Sequence, residues 1–153
     1  VELDELGDAM AQLAVAAQGR DLAQLEQEYN DLFIGVGKGE VVPYGSWHLT
    51  GFLMEQPLSD LRDDLRALGF ERSEDTHEPE DHAAAIFEVF SVMILESYSL
   101  SQQQVFFKTH MQAWLGTFFS DLGSARSADF YQHVARFGVA FLKLESAYLS
   151  MHS

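Results

Sequence analysis

The apolar side chains of this sequence return at steps of three and four and nowhere keep up an alternation with polar ones, so the chain is built for helices rather than strands. The longest run is Phe130, Val134, Phe137, Phe141, Leu144 and Tyr148, a stripe along one helix for which Ser127 is the predicted cap. Leu3, Leu6, Met10 and Leu13 mark a first helix ending near Gly19. Asp21 caps a second, whose stripe is Leu22, Leu25, Tyr29, Leu32 and Phe33, and Gly35 stops it. The segment GVGKGEVVPYGSW is glycine-rich and contains Pro43, which predicts a loop, with Ser46 the cap of a short helix after it. Leu58, Leu61, Leu65 and Leu68 give an ordinary surface helix closed by Gly69. AAAIFEVFSVMILESYSL is apolar nearly all round, as a central helix would be, with Pro79 in its first turn and Glu88 as a buried charge. Ser101 with Gln104 has capping-box spacing, and Leu100 with Val105 that of a hydrophobic staple, predicting a helix that runs on to Gly123. The expectation is an all-α fold, a single compact bundle of six or seven helices over residues 1–153.

Composition narrows the function. With 47% apolar residues among 153, the chain can bury a core. Its 24 acidic against 9 basic residues, a formal charge of −15, repel nucleic acid and anionic lipid and attract cationic peptides. Cysteine is absent, which removes disulfides, thiolate metal sites and cysteine nucleophiles and fits a reducing cytoplasm. No apolar run reaches the length of a membrane span, and the acidic opening VELDELGDAM does not resemble a secretory signal.

Catalytic and metal motifs are sparse. Glu74 and His77 have the Glu-x-x-His spacing of carboxylate-bridged metal bundles, but only once and in a polar connection. GVGKGE lacks both the leading glycine and the Ser/Thr of a phosphate loop, and no Gly-x-Ser-x-Gly elbow occurs. A helical metalloprotein using His82, Glu88 and His110 is one alternative, and a general acidic interaction module is another. No cofactor and no resident metal are expected.

Two clusters invite a functional reading. Tyr29, Leu32 and Phe33 end a helix ahead of a loop carrying Pro43, Tyr44 and Ser46. Glu78, Asp81 and His82 open a later helix with Glu88 six residues on. Together with Phe106, Phe107, His110, Trp114, Phe118 and Phe119, they resemble the TorD/DmsD/NarJ-type family of redox-enzyme maturation chaperones, over roughly residues 20 to 149. The three recurring features are Tyr-x-x-Leu-Phe with Pro-Tyr-x-Ser, Glu-Pro-x-Asp-His with a following glutamate, and Phe-Phe-x-x-His-x-x-x-Trp ending Phe-Phe.

The resemblance implies an all-helical cytoplasmic chaperone without catalytic activity. Its partner would be the precursor of a molybdenum redox enzyme, met through the twin-arginine leader, the apoprotein, or both, and held until cofactor insertion. Peptide recognition would fall on Tyr29, Leu32, Phe33, Pro43, Tyr44, Ser46, Glu78, Asp81 and His82. Asp81, with Glu78 and Glu80 near it, would accept paired N–H donors from arginine. His82 would orient Asp81 or a loop carbonyl and stay protonated between acidic neighbours, and Glu88 would be an internal anchor. The chain is short at its N-terminus compared with the family, which implies missing helical residues or a homodimer formed by helix exchange.

Overall fold

The computed structural model describes residues 2–35, 39–73, 75 and 77–152, so Glu74 and the Val36–Lys38 part of the glycine-rich loop lie outside the described residues. Helices are the only regular elements of the described residues, whose one β-type pairing is an isolated bridge between Tyr44 and His82. The α-helices are α1 Glu2–Gln18, α2 Leu22–Tyr29, α3 Gly45–Thr50, α4 Gln56–Ala67, α5 Ala83–Leu95, α6 Leu100–Phe107, α7 Leu115–Ser124 and α8 Phe130–Met151. Wider π turns cover Asn30–Ile34 and Lys108–Gln112. The all-α expectation therefore holds.

The chain divides into two units: Val1–Val42 with Gly116–Ser153, and Pro43–Leu115. In the first, α1 packs along α8. The face it turns inward carries Leu6, Ala9, Leu13 and Ala16, while Leu3 and Met10 of the expected stripe are exposed. On α8, Leu149 apart, the tightest packing also falls on small residues. Ala135, Gly138 and Ala140 are buried, whereas Phe137 and Phe141 are half-buried and Tyr148 is exposed. Gly138 is needed there, because a Cβ would stand 2.4 Å from the Phe119 ring.

The cap of α8 is not Ser127, whose N–H and hydroxyl go instead to the Glu40 carboxylate. Glu28, a hundred residues earlier, takes the N–H groups of Asp129 (2.9 Å), Phe130 (3.1 Å) and Tyr131 (2.8 Å). One carboxylate thereby satisfies three of the donors a helix start leaves over and meets the positive end of its dipole.

In the second unit α4 buries Leu58, Leu61 and Leu65, as its stripe predicts. Helix α5 is amphipathic rather than buried all round. Ala83, Ile86, Phe90 and Met93 point inward, while Ala84, Glu88, Ser91 and Leu95 are exposed, so Glu88 is a solvent-facing residue and not an internal anchor. His82 is the N-cap of α5, which places Pro79 ahead of the helix instead of in its first turn. The capping box of α6 is Ser99 with Gln102, two residues upstream of the predicted pair. Both pairs satisfy Ser-x-x-Gln, but Ser97 turns into the left-handed region (φ 58°) and ends the preceding segment, so Ser99 is the first serine free to cap. The continuous helix expected from Ser101 to Gly123 is interrupted by the π turn at Lys108–Gln112.

Candidate functional site: a clamped loop beside an acidic helix start

The Pro43–Ser46 loop is held along the chain just before α5. Gly45 N–H donates to the Asp81 carbonyl (3.0 Å) and Ala83 N–H to the Pro43 carbonyl (2.9 Å), closing the Tyr44–His82 bridge. Asp81, only 4% exposed, directs Oδ2 at the Ser46 N–H (2.8 Å). Tyr44 precedes α3 without a side-chain cap of its own, so Asp81 does that work from 35 residues away. Asp81 Oδ1 and Ser46 Oγ have no hydrogen-bond partner among the described residues. The rings of Tyr44 and His82 meet edge to face at 5.2 Å.

His82 Nδ1 accepts the Ala84 N–H (3.1 Å), which requires an unprotonated ring nitrogen. Burial pushes its pKa down and outweighs the opposite pull of Glu78 and Asp81. The expected protonated histidine orienting Asp81 is thus replaced by a neutral helix cap. Glu78 is exposed, but Glu80 is already taken. Arg62 grips it with two hydrogen bonds (3.0 and 3.1 Å), and Arg72 lies at 3.6 Å. Burial alone would raise the Glu80 pKa, yet these arginines hold it below the usual carboxylate range.

Behind the loop stands Trp114, which sequence reasoning kept as part of a family pattern and did not assign to a site. Its Nε1–H donates to the His110 carbonyl (2.7 Å). A Cβ on Gly45 would lie 3.0 Å from that nitrogen, so glycine lets the loop settle on the indole. His48 stacks on the same ring at 5.6 Å. His110, also buried, holds Asp64 Oδ2 at 2.6 Å. Gly45, His110 and Trp114 border a pocket of about 220 Å3 whose lining also includes Leu49, Pro57, Asp60, Leu61, Asp81 and Ile86. The spacing of its lining residues, spread from Gly45 to Trp114, offers no local sequence signal.

In the first unit Leu32 is completely buried, and its carbonyl accepts the Val41 N–H (2.8 Å). Phe33 is half-buried among aromatic neighbours, 5.1 Å from Tyr29, 5.4 Å from Tyr131 and 6.5 Å from Phe118. Tyr29 is 42% exposed and lines a shallow pocket with Leu25, Glu26, Asn30 and Tyr131. Tyr131 escaped the sequence reading because it lies off the α8 stripe and carries no local signal of its own. Of the nine predicted residues, Pro43, Tyr44, Ser46, Glu78, Asp81 and His82 belong to the second unit, and Tyr29, Leu32 and Phe33 to the first.

The metalloprotein alternative finds no support in this geometry. His82 spends Nδ1 on the helix cap, Glu88 faces solvent, and no group of three or more potential ligands gathers among the described residues. No described helix is long and apolar enough to cross a membrane.

The site thus consists of an aromatic loop pinned to an acidic helix start within an all-α fold, and comparison with known proteins supplies the family. The family described as nitrate reductase delta subunit matches residues 2–120, and the chain belongs to that family of redox-enzyme maturation chaperones. Among curated relatives, Chaperone protein TorD of Vibrio parahaemolyticus is 30% identical over 161 aligned positions, covering 96% of this chain and 73% of that protein. TorD of Vibrio atlanticus is 28% identical over 97% of this chain and 74% of its own length, and that of Aliivibrio fischeri 29% over 97% and 76%. These relatives are chaperones, a role without catalysis.

Proposed function

We propose that this protein binds the twin-arginine leader of a molybdenum-containing redox enzyme precursor, or its apoprotein, in the cytoplasm and holds it for cofactor insertion before export. The observation that carries the reading is the clamp in the second unit: one bridge brings the Tyr44 ring, the His82 edge and the buried Asp81 charge into a single patch, with exposed Glu78 on the same approach segment. A leader of this type has paired guanidinium groups followed by apolar residues, so its receptor needs negative charge beside apolar surface. Burying about 400 Å2 of apolar leader surface is worth on the order of 10 kcal/mol before ordering costs, which consume much of it and leave binding reversible.

Burial changes the division of labour within the expected set. Tyr44, His82 and Glu78 are open enough to touch a guest, and Tyr29 and Phe33 present aromatic surface in their own unit. Asp81, Ser46, Pro43 and Leu32 are buried and act by shaping those surfaces and, for Asp81, by charge. Titration of a labelled twin-arginine leader, followed by anisotropy, tests the reading. Tyr44→Ala is expected to weaken binding about tenfold while the helical CD spectrum stays unchanged. A leader with both arginines replaced by glutamine should lose binding altogether. Equal affinity for both leaders would refute leader recognition.

A further inference from the structure

The end of α3 and the turn after it carry an unusual load of exposed apolar surface. Leu49 (44% exposed), Phe52 (67%), Leu53 (51%) and Met54 (65%) occur within six positions. The turn is constructed rather than slack. Gly51 takes the left-handed conformation (φ 85°), Thr50 Oγ1 donates to the Ser46 carbonyl (2.8 Å) and accepts the Phe52 N–H (3.2 Å), and Met54 itself has φ 55°, a region costly for a side chain of its size. Folding alone gives no reason to lift four large apolar groups into water on so defined a turn.

Leu49 also lines the 220 Å3 pocket described above, so the apolar ridge adjoins the pocket through that residue. The acidic residues lining that pocket are Asp60 and Asp81, and His110, which also lines it, is engaged through Nε2 with Asp64. Asp60 sits on the surface, its Oδ1 held by the Gln56 amide, and Asp81 lies beneath with one hydrogen bond from Ser46 and one oxygen unmatched among the described residues. Lysine and arginine are absent from its lining. The nearby Arg62, within electrostatic reach of Asp81, is committed to Glu80 through two hydrogen bonds. Met54 and the carboxylate Glu55 also border a separate pocket with Arg62 and Arg66, of which Arg62 is bonded to Glu80 and Arg66 to Asp63 (2.8 Å).

We infer that the Leu49–Met54 ridge and the adjoining Asp60/Asp81 pocket form a two-part docking surface for a peptide in which a basic residue precedes an apolar stretch. The cationic side chain enters the pocket, where Leu61, Ile86 and Trp114 pack its alkyl stem, the exposed Asp60 meets its head and Asp81 adds attraction from beneath. The apolar residues that follow lie on Leu49, Phe52, Leu53 and Met54. A second copy of this chain is the poorer occupant, since each copy carries a formal charge of −15 and would bring carboxylates against carboxylates. The inference rests on the leader reading and deepens it: it assigns the apolar part of the guest to residues outside the expected set.

The test crosses two proteins with two synthetic peptides. The proteins are the wild type and the triple variant Phe52→Ser, Leu53→Ser, Met54→Ser. The peptides are two adjacent arginines followed by a leucine–alanine stretch, and the same peptide cut after the arginines. Loss of about tenfold or more in affinity of the variant for the long peptide, with the short peptide unaffected, is the expected result. Asp60→Asn should weaken both peptides a few-fold. These substitutions lie at exposed positions, and CD together with sedimentation verifies that fold and assembly are unchanged. Equal binding of the long peptide by wild type and variant overturns the ridge while leaving leader recognition standing. A wild type dimeric through the ridge, made monomeric by the variant, overturns it too, in favour of self-association. If the wild type binds neither peptide, the leader reading falls and the ridge assignment with it.

Discussion

At the scale of single residues, His82 performs a task that depends on being neutral. Its Nδ1 accepts the Ala84 N–H, and burial lowers its pKa below the ordinary value near 6.5. In the unfolded chain the imidazole takes up its proton as pH falls through that value, while the folded chain resists. The unfolded state then binds more protons, so stability declines from about pH 6.5 downward to the lowered folded pKa and is fully present above. His82→Asn retains a capping acceptor without the proton equilibrium and should flatten this slope. Urea unfolding at about pH 7.5 and about pH 5.5, on both sides of the ordinary histidine pKa, measures it as the difference between wild type and variant. Sequence gave reason to single out His82 but assigned it the wrong protonation state. The acidic neighbours are visible in the string of letters, whereas the desolvation that outweighs them exists only once the Tyr44 loop has closed over the ring.

At the scale of helices, periodicity located most elements and misjudged several of their ends. Caps are the reason. Asp21 caps α2 from its own sequence position and was legible. Asp81 caps α3 and Glu28 caps α8 from 35 and about a hundred residues away, which local spacing has no means of revealing. The same limit applies to faces. The aromatic stripe of α8 drew the eye, but its closest approach is made where a side chain is lacking, at Gly138 against Phe119. Alanine there would favour the helix by about 1 kcal/mol through propensity alone. Because its Cβ would stand 2.4–2.5 Å from the ring atoms, we expect a net loss of about 1–2 kcal/mol instead, read from the urea midpoint. A stabilised variant would mean that the α7–α8 packing yields more easily than the geometry suggests.

On the scale of the whole molecule, charge is the dominant property. A net −15 on 153 residues draws basic peptides from a distance, and salt should weaken that attraction. The affinity for the arginine-containing leader is expected to fall several-fold between about 0.05 and about 0.5 M salt, as the Debye length shrinks from roughly 14 to roughly 4 Å. Isothermal titration across that range measures the effect, and a flat response would assign binding to apolar contact alone. The all-α class and the acidic character were both readable from composition and period. The docking pocket was not, because its walls come from α3, α4, α5 and the Lys108–Gln112 turn, segments that only tertiary folding brings together.

The division of the chain also sets an order of events at the ribosome. Residues 43–115 form a unit that is continuous in sequence, so its internal contacts can form once that stretch has emerged. Helix α1, made earlier, must wait for α8, more than a hundred residues later, before its inward face is covered. During translation the middle of the chain is therefore expected to complete its contacts before α1 does, which leaves the inward face of α1 uncovered until α8 is made.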